Sequence, residues 1–404
     1  MLTSQKRKRL KGELLWVVMG TLLTMIGGLL TIKILSNLLS VEDFGRYALL
    51  FSLVSFLVAV LFTPLGQVTL RFAIIAQNDG GLRSYIALQN RVFAVTSALS
   101  VLALGLAGLW FGMAGFLAML ALALAMGLQV VQQYLLMAFR QRRQNAIAQL
   151  VGAVARPLLV FLAIYFVQNN EISAVYGLAL GFLAIAGVQY FYLASLPATR
   201  GRLSFGGAEM ARYGGTYFLI GLVTITVFIA DRWVLSAMGS LEQVAIFAAL
   251  MQVALAPVAF SHAVLTRLAA PIFFAADGVQ QPRQFRQLLL VWGGLCALVL
   301  MVTAAFPVLI VALLTNAQYA QYAYLMPWMV LGLILERTAQ ILEMKGSLRL
   351  KTSGYRLPRL LVVVLVPTLE MLAFYLWGFN GLVAGLVMGT FIGVLGAASV
   401  NRNI

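Results

Sequence analysis

A chain of 404 residues that is 62% hydrophobic and only 10% charged belongs to the membrane class by composition, with no stretch left for a sizeable soluble domain. The 28 Lys and Arg against 12 Asp and Glu would suit a nucleic-acid binder, but in a polytopic membrane protein such a balance usually reflects loops held on one side of the bilayer. The single cysteine, Cys296, excludes a disulfide framework within the chain and reads as a small buried hydrophobe.

From Leu14 to Leu35 the chain is almost unbroken apolar sequence, with Lys33 near its end, and about 20 such residues cross a bilayer core of roughly 30 Å. The polar connector Ser40-Val-Glu-Asp-Phe-Gly-Arg46 leads into a second apolar run from Tyr47 to Leu70, closed by Arg71. Lys6, Arg7, Lys8, Arg9 and Lys11 precede this hairpin, which keeps the N-terminus cytoplasmic and turns the connector outward. The first run is too long for a signal-peptide core and shows no small-residue cleavage site, so it reads as a retained span. Further spans are predicted at 92–110, 115–138, 146–167, 173–195, 213–231, 243–268, 288–314, 325–344, 360–377 and 381–400. The expected fold is therefore an all-α polytopic membrane protein of about twelve transmembrane helices.

Charge supports that count. Alternating spans place the segments Lys6 to Lys11, Arg71 to Arg91, Arg140 to Arg143, Arg200 to Arg212, Arg267 to Arg286, Lys345 to Arg359, and Arg402 inside, which is 23 of the 28 basic residues. Lys33, Arg46 and Arg232 fall outside, and Arg156 and Arg337 lie within spans. Both termini are then cytoplasmic, and anionic inner-leaflet lipids rather than nucleic acid are the partners of the basic face.

The two halves resemble each other at an offset of 200. Leu35, Ser36, Glu42, Ala48 and Leu50 match Leu235, Ser236, Glu242, Ala248 and Leu250, and Phe44 and Tyr47 face Val244 and Phe247. Two six-helix lobes follow, residues 1–200 and 201–404, related by pseudo-two-fold symmetry. Parallel repeats of this kind belong to transporters in which one bundle rocks against the other.

Signals for enzymatic chemistry are nearly absent: one histidine, His262, no cluster able to bind a metal, and no phosphate-binding Gly-Lys-Ser/Thr loop. The chain is not expected to be an enzyme. Ionisable groups inside spans are costly and so are functional candidates. Arg156 lies near mid-membrane directly before Pro157, Glu336 and Arg337 sit deep in the tenth span, and Glu370 lies three residues past Pro367. Lys33 and Asp231-Arg232 end the first and seventh spans, and Arg71 and Arg267 end the second and eighth. A chamber lined by Lys33, Arg46, Arg71, Arg156, Arg232, Arg267 and Arg337 against a smaller number of carboxylates would hold an anion, with arginine offering a planar fork to phosphate. The alternative is that Glu336 and Arg337 satisfy neighbouring helices while Lys33 and Arg46 snorkel to headgroups. Gly385, Gly389 and Gly393, and Gly177 with Gly181, form small-residue stripes suited to close helix packing.

The run Ile34-Leu-Ser-Asn-Leu-Leu-Ser-Val-Glu-Asp-Phe-Gly-Arg-Tyr-Ala-Leu49, with Gly66 through Arg71-Phe72, resembles the opening of polysaccharide exporters of the multidrug/oligosaccharidyl-lipid/polysaccharide (MOP) superfamily, the Wzx-type flippases. So does the segment from Ala230-Asp231-Arg232 to Phe247, although Val244-Ala245 stands where the first half has Phe44-Gly45. The resemblance implies a bacterial inner-membrane flippase that moves a polyprenyl-diphosphate-linked oligosaccharide between leaflets for O-antigen, capsule or exopolysaccharide assembly. It implies alternating access through a basic central cavity, membrane lipids and polysaccharide polymerase or synthase components as partners, and no cofactor beyond coupling to H+ or Na+. Asp231 and Glu370 are the residues able to carry that coupling. A cation-coupled multidrug or metabolite exporter of the same superfamily, and a non-transporting scaffold of a polysaccharide synthase complex, remain open.

Overall fold

The computed structural model describes residues 4–196, 199, 201–274, 281–348 and 352–402. Within them, the side chains of 4–14, 216, 219–220, 223–224, 227, 267–274, 281–282, 346–348, 352–353 and 356 lie outside the description. The described chain is helical throughout, and nine of its helical stretches are long and apolar enough to cross a membrane.

Contacts divide the chain into two compact units, Met1–Ile225 and Thr226–Ile404. The first contains α1 (Ser4–Leu38), α2 (Val41–Leu57), α3 (Thr63–Asn78), α4 (Leu82–Ala138), α5 (Arg142–Phe166), α6 (Glu171–Ala194) and the opening of α7 (Gly207–Met238). The second contains the rest of α7, α8 (Leu241–Phe274), α9 (Gln281–Ala305), α10 (Pro307–Leu314), α11 (Met326–Leu348) and α12 (Arg356–Arg402). Two of these helices are each a pair. α4 turns back at Gly112, φ 71°, and α12 at Gly378, φ 61°, both in the left-handed region that a side chain would oppose. Among the described residues, with α2 and α3 joined through a π-helical turn at Val58–Phe62 and the eight-residue α10 too short to cross, the crossing helices number twelve.

The polar connector predicted at 40–46 is shorter than expected. Ser40 caps α2, accepting from the Asp43 N–H at 3.1 Å while its hydroxyl donates to Asp43 Oδ2, so Val41 already begins the helix. Ser240 does the same for α8: the Gln243 N–H reaches its Oγ and Gln243 Oε1 accepts from the Ser240 N–H, both at 3.2 Å. The 200-residue offset thus reappears as matching serine N-caps, answered by the residue three positions on through the hydroxyl at Ser40 and through the backbone N–H at Ser240. The residues beyond them match in burial, since Phe44, Tyr47, Ala48 and Leu50 are as buried in the first unit as Val244, Phe247, Ala248 and Leu250 are in the second.

Proline explains the π turn. Pro64 has no N–H to offer the preceding turn, and the register loosens ahead of it, with the Thr63 hydroxyl donating to Val58 O at 3.2 Å. In the first unit α5 packs on α1 and α6, and α4 on α6 and α3. In the second, α11 packs on α12, α8 and α9. The small-residue stripe of α12 acts as predicted: a Cβ at Gly385 would stand 2.5 Å from Glu370 Cα and one at Gly389 2.9 Å from Val366 Cα, so the second arm lies directly on the first. Tyr319 is fully buried, while Tyr324 stays exposed and donates to Asn380 Oδ1 at 2.8 Å.

In the first unit, the end carrying the 79–81 turn, the 139–141 turn and the segment before α7 collects Arg83, Arg140, Arg142, Arg143 and Arg202 with Asp79, while the opposite end carries Glu42, Asp43 and Glu171 with Arg46. We call the former the basic end.

Candidate functional site

Two groups of intramembrane charge stand out. The first is in the second unit. Asp231 and Glu370 are wholly buried and Arg232 is 6% exposed. The Arg232 N–H donates to Asp231 Oδ1 at 2.7 Å, its guanidinium Nη1 lies 3.6 Å from the same oxygen, and Nη1 donates to Phe228 O. Glu370, on the first arm of α12, is within electrostatic reach of both Asp231 and Arg232. Asp231 Oδ2 and both Glu370 carboxyl oxygens have no hydrogen-bond partner among the described residues. Two carboxylates facing one guanidinium away from water leave a negative charge that a proton or a small cation would balance.

α11 carries a separate polar seam in the same unit. Arg337 Nε lies 3.2 Å from Glu336 Oε2, without the alignment of a hydrogen bond, and Arg337 Nη1 donates to Gln340 Oε1 at 3.0 Å while Gln340 donates to Glu336 Oε1. The Arg337 guanidinium also lies 5.0 Å from the Phe228 ring centre. About two helical turns beyond Glu336, Glu343 receives both Nε and Nη2 of Arg359, fastening α11 to α12. His262 packs edge-on against Trp292, whose indole N–H donates to Thr338 Oγ1 at 2.8 Å.

The second group is in the first unit. Arg156 stands halfway along α5, half-buried. Its Nε donates to Gly152 O at 3.1 Å, its Nη2 reaches Thr24 O at 3.4 Å, and its Cζ lies 5.5 Å from the Phe182 ring centre. A Cβ at Gly181 would stand 2.8 Å from Arg156 Cα, so the backbone of α6 presses against α5 and leaves the guanidinium to run sideways between α1 and Phe182. Thr24 and Gln149 join α1 to α5 beside it, Oγ1 to Oε1 at 3.0 Å. No carboxylate pairs with Arg156 among the described residues.

The remaining cations are dispersed in depth. Arg46 is exposed in the first turns of α2, and Lys33 is half-buried a turn before the end of α1. Arg71 is exposed near the opposite end of the first unit, 25 residues beyond Arg46 along one nearly continuous helix, roughly 37 Å at the helical rise. Arg267 is in α8, and its side chain lies outside the described residues. The structure therefore gathers Asp231, Arg232 and Glu370, keeps Arg337 on Glu336 and Gln340, lays Arg156 against Gly152, Thr24 and Phe182, and sets Arg46 and Arg71 at opposite ends of one long helix.

Sequence reading missed the surroundings of Arg71. Its guanidinium lies 4.8 Å from the Tyr213 ring centre, Tyr213 and Tyr217 share a hydroxyl hydrogen bond at 3.2 Å, and Gln67 Nε2 donates to the Tyr134 hydroxyl at 3.1 Å. The four-residue spacing of Tyr213 and Tyr217 was a readable signal, whereas nothing local joins Gln67 to Tyr134 across 67 residues.

No family model matches the chain, and no curated protein matches its sequence. Solved structures do match its fold. An inward-facing multidrug resistance MATE family transporter of the MOP superfamily superposes with a TM-score of 0.72 at 14% identity over 95% of this chain and 94% of that one. Its outward-facing counterpart gives 0.68 at 15% identity over 97% and 95%. A MOP superfamily transporter from Pyrococcus furiosus, described as having a binding pocket of reverse polarity that suggests a different function, gives 0.65 at 14% identity over 97% and 95%. The chain has the twelve-helix fold of MATE transporters, carried by a polytopic membrane protein.

Proposed function

We propose that this protein is a flippase of the MOP superfamily that carries a polyprenyl-diphosphate-linked oligosaccharide across the bacterial inner membrane for surface polysaccharide assembly, by alternating access. Arg156 is the observation that carries this reading. A guanidinium at mid-helix whose partners among the described residues are two carbonyls and a ring has no carboxylate against it and keeps its Nη edge for an incoming anion, and diphosphate is the anion that matches it bidentately. A transporter of cationic drugs would place a net acidic surface there instead. Asp231 and Glu370 supply the coupling site for H+ or Na+, because their shared negative charge needs a counter-cation whenever both are ionised.

A second reading, a cation-coupled multidrug or metabolite exporter, is supported by the MATE fold and by the same carboxylate pair. Complementation separates the two. A strain lacking its flippase is given this chain, and the lipid-linked oligosaccharide is sided with a membrane-impermeant probe. The flippase reading expects outward-facing glycolipid with wild type and glycolipid trapped inside with well-expressed Arg156→Ala. Glycolipid left inside in every host tried, together with raised drug tolerance, would establish the exporter instead.

A further inference from the structure

The cluster around Arg71 lies near the basic end of the first unit and is built unlike the rest of that unit. Five groups from three helices converge there: Gln67 and Arg71 of α3, Tyr134 of α4, and Tyr213 and Tyr217 of α7. Arg71 of α3 lies over Tyr213 of α7, and a Cβ at Gly214 would stand 3.1 Å from Val68 Cγ2, so α7 lies against α3 and brings the two hydrogen-bonded pairs to one place. The Tyr213 and Tyr217 rings are 5.1 Å apart and tilted by 53°, and all three tyrosines are only half-buried. No carboxylate pairs with Arg71 among the described residues. Of the two phenols in the Tyr213 and Tyr217 pair, one donates to the other, which leaves one hydroxyl proton and several lone pairs unspent.

The same three helices border an apolar cavity. It has a volume of about 350 Å3 and is lined in part by Pro64 and Val68 of α3, Val92 of α4, and Met210, Gly214 and Phe218 of α7. Pro64, Val68 and Arg71 follow one another on a single face of α3, so the guanidinium stands one turn beyond the cavity wall. Taking each carbon to need about the volume of one water in the liquid, roughly 30 Å3, the cavity holds on the order of a dozen carbons.

We propose that this is the loading site for the substrate's glycosyl-diphosphate end. Arg71 takes the diphosphate, Tyr213 and Tyr217 stack on and hydrogen-bond the sugar next to it, Gln67 and Tyr134 bond its outer hydroxyls, and the first isoprene units enter the apolar cavity. The chemistry of each part selects its ligand. Ring faces beside phenol hydroxyls suit a pyranose, whose own faces are apolar and whose rim is polar. The guanidinium fork suits phosphate oxygens, and the surrounding arginines at this end draw an anion toward it. The site rests on the flippase reading and adds to it where the lipid is first received and that its proximal sugar is inspected there.

The test measures binding to the purified full chain in nanodiscs with three probes: farnesyl diphosphate, the same diphosphate bearing one N-acetylhexosamine, and phosphatidylglycerol. Wild type should bind the glycosylated probe about tenfold more tightly than plain farnesyl diphosphate, and phosphatidylglycerol more weakly than either. Tyr213→Leu should bring the first ratio close to one, and Arg71→Gln should weaken both diphosphates about tenfold. Tyr213→Phe, which keeps the ring, and Arg71→Lys, which keeps the charge, should each lose only part, and they serve if the larger changes fail to fold. Arg156→Ala should weaken both diphosphates without altering their ratio. If wild type discriminates but Tyr213→Leu and Tyr213→Phe discriminate equally well, the loading site is wrong and the flippase reading survives. Phosphatidylglycerol bound as tightly as the glycosylated probe, with the same dependence on Arg71, would make the cluster a general lipid contact and overturn the proposal. Failure of wild type to bind either diphosphate would overturn both.

Discussion

Replacing Arg156 by alanine separates a functional charge from a structural one, because the structure limits what the side chain can contribute to folding. Its bonds to Gly152 O at 3.1 Å and Thr24 O at 3.4 Å reach backbone carbonyls in α5 and α1, and its face contact with Phe182 is at 5.5 Å. One ordinary hydrogen bond contributes about 0.5–1.5 kcal/mol, the longer one less, and a partly exposed cation–π contact about 0.5–1 kcal/mol. The loss in stability should therefore be about 1–2 kcal/mol, a modest fall in melting temperature in detergent. A charge-assisted bidentate contact with diphosphate contributes about 1.5–3 kcal/mol, and losing 2–3 kcal/mol is roughly a 30- to 150-fold loss of affinity or transport. Arg156→Lys keeps the charge but not the fork and should fall between. The assay is outward movement of lipid-linked oligosaccharide in proteoliposomes, read by an impermeant probe, beside a thermal melt of each variant. Transport by Arg156→Ala within twofold of wild type, with the melting temperature lowered, would show that the guanidinium only braces α1 against α6 and would refute the anion argument.

Other consequences follow from particular contacts. Glu370→Gln and Asp231→Asn should each abolish the response of transport to an imposed H+ or Na+ gradient while leaving glycolipid binding within about threefold, and gradient-driven uptake in both variants equal to wild type would remove these residues from coupling. Gly385→Ala puts a methyl group 2.5 Å from Glu370 Cα, which must part the arms of α12, so a destabilisation of about 1–3 kcal/mol and lost coupling are expected together in melting and gradient assays. Ser40→Ala and Ser240→Ala should each cost about 1 kcal/mol, and the double variant should show the sum, since the caps lie in separate units. A double variant that loses much less than the sum would mean that the two caps do not act alone.

The helical class, the twelve crossings and the paired helix starts at Ser40 and Ser240 were legible from local sequence, because each depends on neighbours along the chain. Hydrophobic runs of sufficient length cross a bilayer whatever they pack against, and Ser40 and Ser240 cap helices through residues only three positions away. The glycine stripe of α12 was readable for the same reason, since spacing alone puts Gly385, Gly389 and Gly393 on one face. Which charges meet was a different matter. Asp231 and Arg232 are adjacent in sequence, yet Glu370, about 140 residues on, comes within electrostatic reach of them only in the folded second unit. Sequence placed seven cations in one chamber, whereas helical rise sets Arg46 and Arg71 at opposite depths of a single long helix. Tyr134 and Gln67 come from distant segments and pair only once α3 and α4 are packed. Periodicity reports which face of a helix is apolar, but it carries no information about which other helix that face will meet, and polar groups in a membrane acquire their chemistry from that partner.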